Sequence, residues 1–585
     1  LQHSELPPLP LPSFACCALG GLFVILFMAG PGAFATVATL APDQLAPGQK
    51  GVGYCVIKGT QIDSFDVEIL GVQHDVPLPG RDLILARLAG AGLEKTGLFH
   101  GMSGSPVYVE GQLIGAVARG WGFAAEPICG ITPIGEMLEI LEQDLSGPSY
   151  YSAAASGMGT DSHTPPLPLP VWVSGIGRSG RAFLTDLLEP MGMVPVTAAG
   201  GTAQLATSDS ALKPGSSIGV QLINGDMNMS VIGTVTWIDG DRILAFGHPY
   251  MAIGAVDMPM TRTIVHGVMP SQYSSFVLGS TTGEEIGALR QDRLAGVAGI
   301  LGAQARMLPV SVSIEGPSGK HTLNTRVLDH AILSGSLAQI VVFSALESFE
   351  RLFGVASLDV HLQVQLTDGR QLNWNQVFSG LHAPFLAARS VGGPLASLTW
   401  SGFEDVHLER IHVSISIRDD MRIAEIGTAR HVPAKPRAGK PLSVEVELDP
   451  FQAPEQQLTF DLLLPPTAEG LPVRLLIGNG SAAVAWAQER QIEAQPRNSD
   501  ELLERLGHTR RNDELVIEIV AEEPGLALDG QPLLSLPASV GRLLKQTPSV
   551  GRLGPVFGRV LETQRLRVPF VLEGEQVIEL GQIEQ

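Results

Sequence analysis

Cysteine is scarce: the chain of 585 residues holds 4, and two of them, Cys16 and Cys17, lie inside an N-terminal apolar run. Cys55 and Cys129 are left, with no Cys-x-x-Cys and no Cys/His spacing of the kind that holds zinc, so neither a metal nor another cofactor is expected. In an oxidising compartment the two can pair; otherwise they are buried free thiols. Charge is thin as well. Charged residues are 17% of the chain, and 59 acids against 38 bases give a formal net charge of −21, with no basic run able to follow a phosphate backbone. Nucleic acid is excluded as a partner on that ground. No fixed-period repeat of the solenoid kind is present.

What the chain does have is glycine and proline, 67 and 42 of them, alongside 44% apolar residues. That balance favours many short strands joined by turns over long helices, and the length divides into roughly three to five units. Residues 1–35 contain an apolar core followed by helix breakers and a small-x-small ending at Ala33-Phe34-Ala35, which reads as a secretory signal or an uncleaved membrane anchor. Residues 36–145 form a compact β module with strands at Val52–Ile57, Phe65–Leu70, Leu83–Leu88 and Leu113–Ala118 and a short closing helix over Ile134–Leu141. Residues 146–200 are a Pro/Gly/Ser-rich linker, stiffened by Pro165-Pro166-Leu167-Pro168-Leu169-Pro170, with a short amphipathic helix over Arg181–Met191. A second β module follows at 201–329, with a hairpin whose return strand, Arg242 to Pro249, ends in His248. A β-rich accessory region at 330–430 carries one helix over Ala345–Phe353. Clean alternation in Leu442–Leu448 and Leu458–Leu464 marks an immunoglobulin-like domain at 431–585.

Chemistry concentrates at Gly101-Met102-Ser103-Gly104-Ser105-Pro106. Glycines on both sides of a serine let the backbone turn sharply and bring N–H groups close to a bound carbonyl, the geometry an oxyanion hole needs beside a nucleophile. The same pattern also suits a plain turn between strands. A serine needs a base, and histidine suits that task near neutrality. Among the 14 histidines, His248 stands at the end of an apolar strand between Gly247 and Pro249, where the ring can point into a cleft. His100 is a neighbour in the serine's own turn and is read as a lining residue. Trp121 and Trp237 read as core or rim aromatics, Arg293 after Asp292 as a local ion pair, and the acids of Glu514–Glu523 as the solvated face of a strand.

The serine turn, with Glu94-Lys95-Thr96-Gly97 before it and Gly111-Gln112-Leu113-Ile114-Gly115-Ala116-Val117 after it, resembles the sporulation stage IV B (SpoIVB-type) serine peptidase family. Gly233-Thr234-Val235-Thr236, Phe246-Gly247-His248, Gly283-Glu284-Glu285-Ile286-Gly287 and Asp292-Arg293 resemble that family's histidine-bearing segment. The resemblance implies a mainly β, chymotrypsin-like double β-barrel built from two modules, here followed by β-sandwich-like C-terminal domains. It implies Ser103 as nucleophile, His248 as general base and oxyanion donors from the backbone of Gly101, Met102 and Ser103. The serine module precedes the histidine module, the reverse of the sporulation enzyme, which a triad tolerates because geometry and not chain order defines it. The position matching the family's acid lies near Ala89, so Asp82 is taken as its substitute, with Asp257 as the second candidate.

These readings give a secreted or periplasmic bacterial serine endopeptidase whose partner is a protein or peptide substrate. Membrane association would come through the N-terminal apolar segment, and an envelope protein partner through the C-terminal domain. The competing class is a non-catalytic envelope scaffold built on the same modules.

Overall fold

The computed structural model describes residues 38–584 apart from 77, 122–123, 147–168, 190–192, 198–210, 272–274, 351–352, 404–405, 491–495, 529–530, 535 and 547–552. The N-terminal apolar segment and most of the proline-rich stretch lie outside the described residues. Among the described residues no helix is long and apolar enough to cross a membrane.

The first strands are β1 (Lys50–Lys58), β2 (Gln61–Gln73) and β3 (Leu83–Ala89), then the one-turn helix α1 (Leu93–Thr96) and the short β4 (Phe99–His100). After the serine turn come β5 (Pro106–Val109), β6 (Gln112–Gly120), β7 (Ile128–Pro133) and the closing helix α2 (Ile134–Leu138). The order β1-β2-β3-β7-β6-β5 closes into a barrel. Its inward positions are the apolar ones of each alternating strand, Phe65, Val67 and Ile69 on β2 and Ile84, Ala86 and Leu88 on β3, all buried. Glu110 and Gly111, both at positive φ, make the tight turn between β5 and β6 that hairpin twist requires.

Next come β8 (Leu169–Ser174), α3 (Arg178–Leu188) and β9 (Met193–Thr197), then β10 (Ser217–Gly225), β11 (Asn228–Asp239), β12 (Arg242–Ala245), β13 (Gly254–Met269), β14 (Ser275–Arg293) and β15 (Gly296–Leu301). Six antiparallel pairings run β10-β13-β14-β15-β12-β11 and return to β10, a second ring. The fold is therefore mainly β with two barrels, as expected.

That second ring is part of a 14-stranded sheet. It continues from β10 through β17 (Gly319–Leu328) and β16 (Met307–Gly316) to β20 (Leu408–Arg418), β18 (Ala356–Leu366) and β19 (Gln371–Gly380). Against it packs the helix α4 (Ser334–Phe349), whose residues from Ser334 to Leu346 include twelve buried ones on every face. This is why the expected helix over Ala345–Phe353 is displaced: a helix apolar all round has no polar stripe to mark its ends. The C-terminal region is a sandwich. A 4-stranded sheet (Gln456–Leu463, Pro441–Pro450, Ile423–Val432, Val571–Glu573) and a 5-stranded one built on Pro472–Asn479 and Glu514–Leu528 share one apolar core. Glu518 on that last strand corrects the solvated-face reading, because it is buried and bonded by Arg490 at 2.7 Å and Arg510 at 3.1 Å.

Candidate active site

The serine turn is pressed against the second barrel. The Ser103 carbonyl accepts the Thr234 N–H at 2.9 Å, while the hydroxyls of Thr234 and Thr236 donate to the carbonyls of Gly101 at 3.0 Å and Gly104 at 2.8 Å. In return the Thr132 hydroxyl, from β7 of the first barrel, donates to the Gly247 carbonyl at 2.6 Å. Glycine is required at this seam. Gly104 has φ +93°, and a Cβ there would lie 2.1 Å from the Thr234 carbonyl oxygen and 2.5 Å from the Phe246 nitrogen. Gly101, at φ +107°, would meet Val277 at 2.6 Å. The alternating small residues of the motif thus let two backbones meet, and the turn between the barrels carries Ser103.

His248 follows β12 across the same seam. The sequence places it at the end of a strand, whereas β12 stops at Ala245, because Phe246 and Gly247 both take positive φ (67° and 68°) and break the extended run. The reversal sets the chain back against Ala116 and Val117 of the first barrel. His248 Nδ1 lies 2.8 Å from its neighbour's carbonyl, that of Pro249; a carbonyl can only accept, so Nδ1 carries the proton and Nε2 is the free base. Ser103 is 2% and His248 1% exposed. Nε2 is buried with no hydrogen-bond partner among the described residues. Burial pushes the imidazole down to about 4, the Pro249 carbonyl works against that, and the charges of Arg119 and His100 push it further down. His100, on β4, is likewise lowered to about 4 by burial.

The two carboxylates singled out from sequence sit elsewhere. Asp82 is partly exposed; one oxygen meets the His74 ring at 3.2 Å and the other accepts the Asp75 N–H at 3.4 Å. Asp257 is paired with Arg290 and accepts the Arg306 N–H at 3.0 Å. Neither holds His248, whose Nδ1–H is already given to Pro249. Of the three backbone groups expected to face an oxyanion, Met102 donates its N–H to Phe99 at 3.3 Å, a long bond within the turn. Cys55 and Cys129 are free and buried, and desolvation raises both thiols, Cys55 to about 12. Among the described residues no group of three or more His, Cys, Asp or Glu could hold a metal ion.

Sequence reasoning missed Asp292. Its carboxylate does not pair with Arg293, whose Nε donates to Gln291 at 2.9 Å. It accepts instead the N–H groups of Tyr250 at 2.7 Å and Met251 at 2.6 Å, just past the histidine. The signal available to a reader of the sequence was the place of Asp292-Arg293 in the segment that resembles the family's histidine-bearing part, and that alone does not point to the amides past His248.

No curated protein and no solved structure matches the chain. Residues 35–134, which hold the first barrel and Ser103 but not His248, match the family described as SpoIVB peptidase S55, and the chain resembles that family of serine peptidases.

Proposed function

We propose that the protein is a serine endopeptidase acting outside the cytoplasm, with Ser103 as nucleophile and His248 as general base. Ser103 attacks a peptide carbonyl and gives its proton to His248 Nε2; the imidazolium returns that proton to the leaving amine, and water then resolves the acyl-enzyme by the same path. Backbone amides of the Gly101–Ser103 turn hold the oxyanion. The observation that carries this reading is the orphaned Nε2. A buried acceptor without a partner costs roughly 1–3 kcal/mol, and here it belongs to a histidine in the seam where the serine turn docks. The family match over the serine half supports it independently.

Two observations favour the scaffold reading: Ser103 is closed off from solvent, and no hydrogen bond joins its hydroxyl to His248 Nε2. A fluorophosphonate probe separates the two. Wild-type protein is expected to label, and Ser103→Ala and His248→Ala to lose the label completely while unfolding near the wild-type temperature. A well-folded wild type that takes no label overturns the peptidase reading.

A further inference from the structure

A single peptide group lies between His248 and a buried carboxylate. The Pro249 carbonyl lies 2.8 Å from His248 Nδ1, and the N–H at the other end of that same unit, the amide of Tyr250, donates to Asp292 Oδ1 at 2.7 Å. Asp292 comes from β14, where it pairs with Gly254 of β13 and Val297 of β15. It is 1% exposed. Its second oxygen accepts the Met251 N–H at 2.6 Å, and the backbone of Ala252 and Ile253 also lowers its carboxyl against the effect of burial. The turn that follows Pro249 thus faces one negative charge.

A carboxylate on an amide N–H draws electron density toward that amide's oxygen, because hydrogen bonds in series polarise one another in a low-dielectric interior. The Pro249 oxygen facing the imidazole is therefore more negative than an isolated carbonyl. We propose that Asp292 is the positioning residue of this site: it serves His248 through the Pro249–Tyr250 peptide, fixing the Nδ1–H tautomer and stabilising the imidazolium formed when Nε2 takes the serine proton. A serine triad has its acid on Nδ1 directly; here one peptide unit is inserted between them. The need is plain in a dry seam where burial, Arg119 and His100 all oppose the charged imidazole. The hydroxyl of Tyr250, whose amide Asp292 holds, is buried and without a hydrogen-bond partner among the described residues.

The proposal rests on the peptidase reading, and its test has an arm that does not. In full-length protein labelled with 15N-histidine, His248 is expected to show the proton on Nδ1, and its titration to displace the 13C signal of the Asp292 carboxylate. A proton on Nε2, or a carboxylate signal indifferent to the imidazole, overturns the relay whether or not the protein hydrolyses anything, and needs no variant. The second arm is Asp292→Asn, which keeps the shape and removes the charge. Fluorophosphonate labelling is expected to slow about tenfold, the loss of one charge-assisted bond felt through a peptide. The His248 resonances should move with it while the unfolding transition stays cooperative. A variant that labels at the wild-type rate with wild-type histidine shifts overturns the proposal; should Asp292→Asn fail to fold, the wild-type arm alone decides. Wild type that shows the coupled resonances but takes no label overturns the peptidase reading and leaves the relay standing.

Discussion

The two turns that meet at the seam are built on opposite principles. The serine turn is held by neutral groups from the facing barrel, two threonine hydroxyls and one amide, and its position is set by shape, through glycines that leave no room for a side chain. The histidine turn is held mainly by an ion from its own barrel, with the amides of Tyr250 and Met251 gathered on Asp292. Under the proposed function the difference follows from what each turn carries. A nucleophile must reach a carbonyl within a fraction of an ångström, which close packing delivers and which a nearby carboxylate would spoil by repelling the developing oxyanion. A base must become a cation in a dry place, and only a negative charge offsets that.

The sharpest way to break the comparison is Gly104→Ala. If shape sets the serine turn, the added Cβ, 2.1 Å from the Thr234 oxygen and at positive φ, forces the barrels apart. The expected cost is about 3 kcal/mol or more in urea unfolding, with labelling lost. A variant with wild-type stability and labelling would show that the seam tolerates separation.

The next test uses pH, to which the charged turn responds through both His248 and Asp292. His248 is lowered to about 4 in the folded protein from its usual 6.5. Its contribution to stability is therefore complete above about 6.5 and lost as pH falls through 4, roughly 3 kcal/mol in all. His100 and His330, both lowered to about 4 by burial, act in the same direction. Asp292 acts against them: burial raises it to about 6, so its contribution falls as pH rises through the window between about 4 and 6. The acid limb of fluorophosphonate labelling should accordingly fall in two steps, a partial loss near 6 as Asp292 takes its proton and the remainder near 4 as His248 does. A complete loss in one step at about 6.5 would place His248 in water.

The smallest expected effect is at Asp82. Its carboxylate serves His74 and Asp75 at a partly exposed site, so Asp82→Asn should leave labelling within about twofold of wild type. A hundredfold loss would restore it as the acid of a triad.

The same contrast decides what the sequence made legible. Ser103 stands out because close approach of two backbones demands glycine, and glycine on both sides of a serine is visible without any knowledge of the partner strand. The strands of the first barrel are legible for a similar reason: one face is buried, so apolar and polar residues alternate. His248 is legible through its flanking glycine and proline, though not the break at Phe246, since nothing in a phenylalanine announces positive φ. Asp292 is hidden, being 42 residues from the amide it accepts and brought there only by the pairing of β13 with β14. Asp82 drew attention because an acid opening an apolar strand is conspicuous locally. Its true neighbours, His74 and the N–H of Asp75, lie across a loop that pattern reading does not close. The helix α4 was displaced in the reading because total burial erases periodicity.

Trp172 ties the seam to the order in which the chain is made. It is fully buried among the apolar side chains of the first barrel together with Ile232, Val265 and Val277, and its indole N–H donates to the Val277 carbonyl at 2.9 Å. Those residues leave the ribosome well after the strands they complete. Until they arrive the serine turn lacks the threonine hydroxyls that pin it, and the histidine does not yet exist. The serine turn of the nascent chain therefore waits unpinned, and the activity proposed for it requires that the later half has closed over the earlier one.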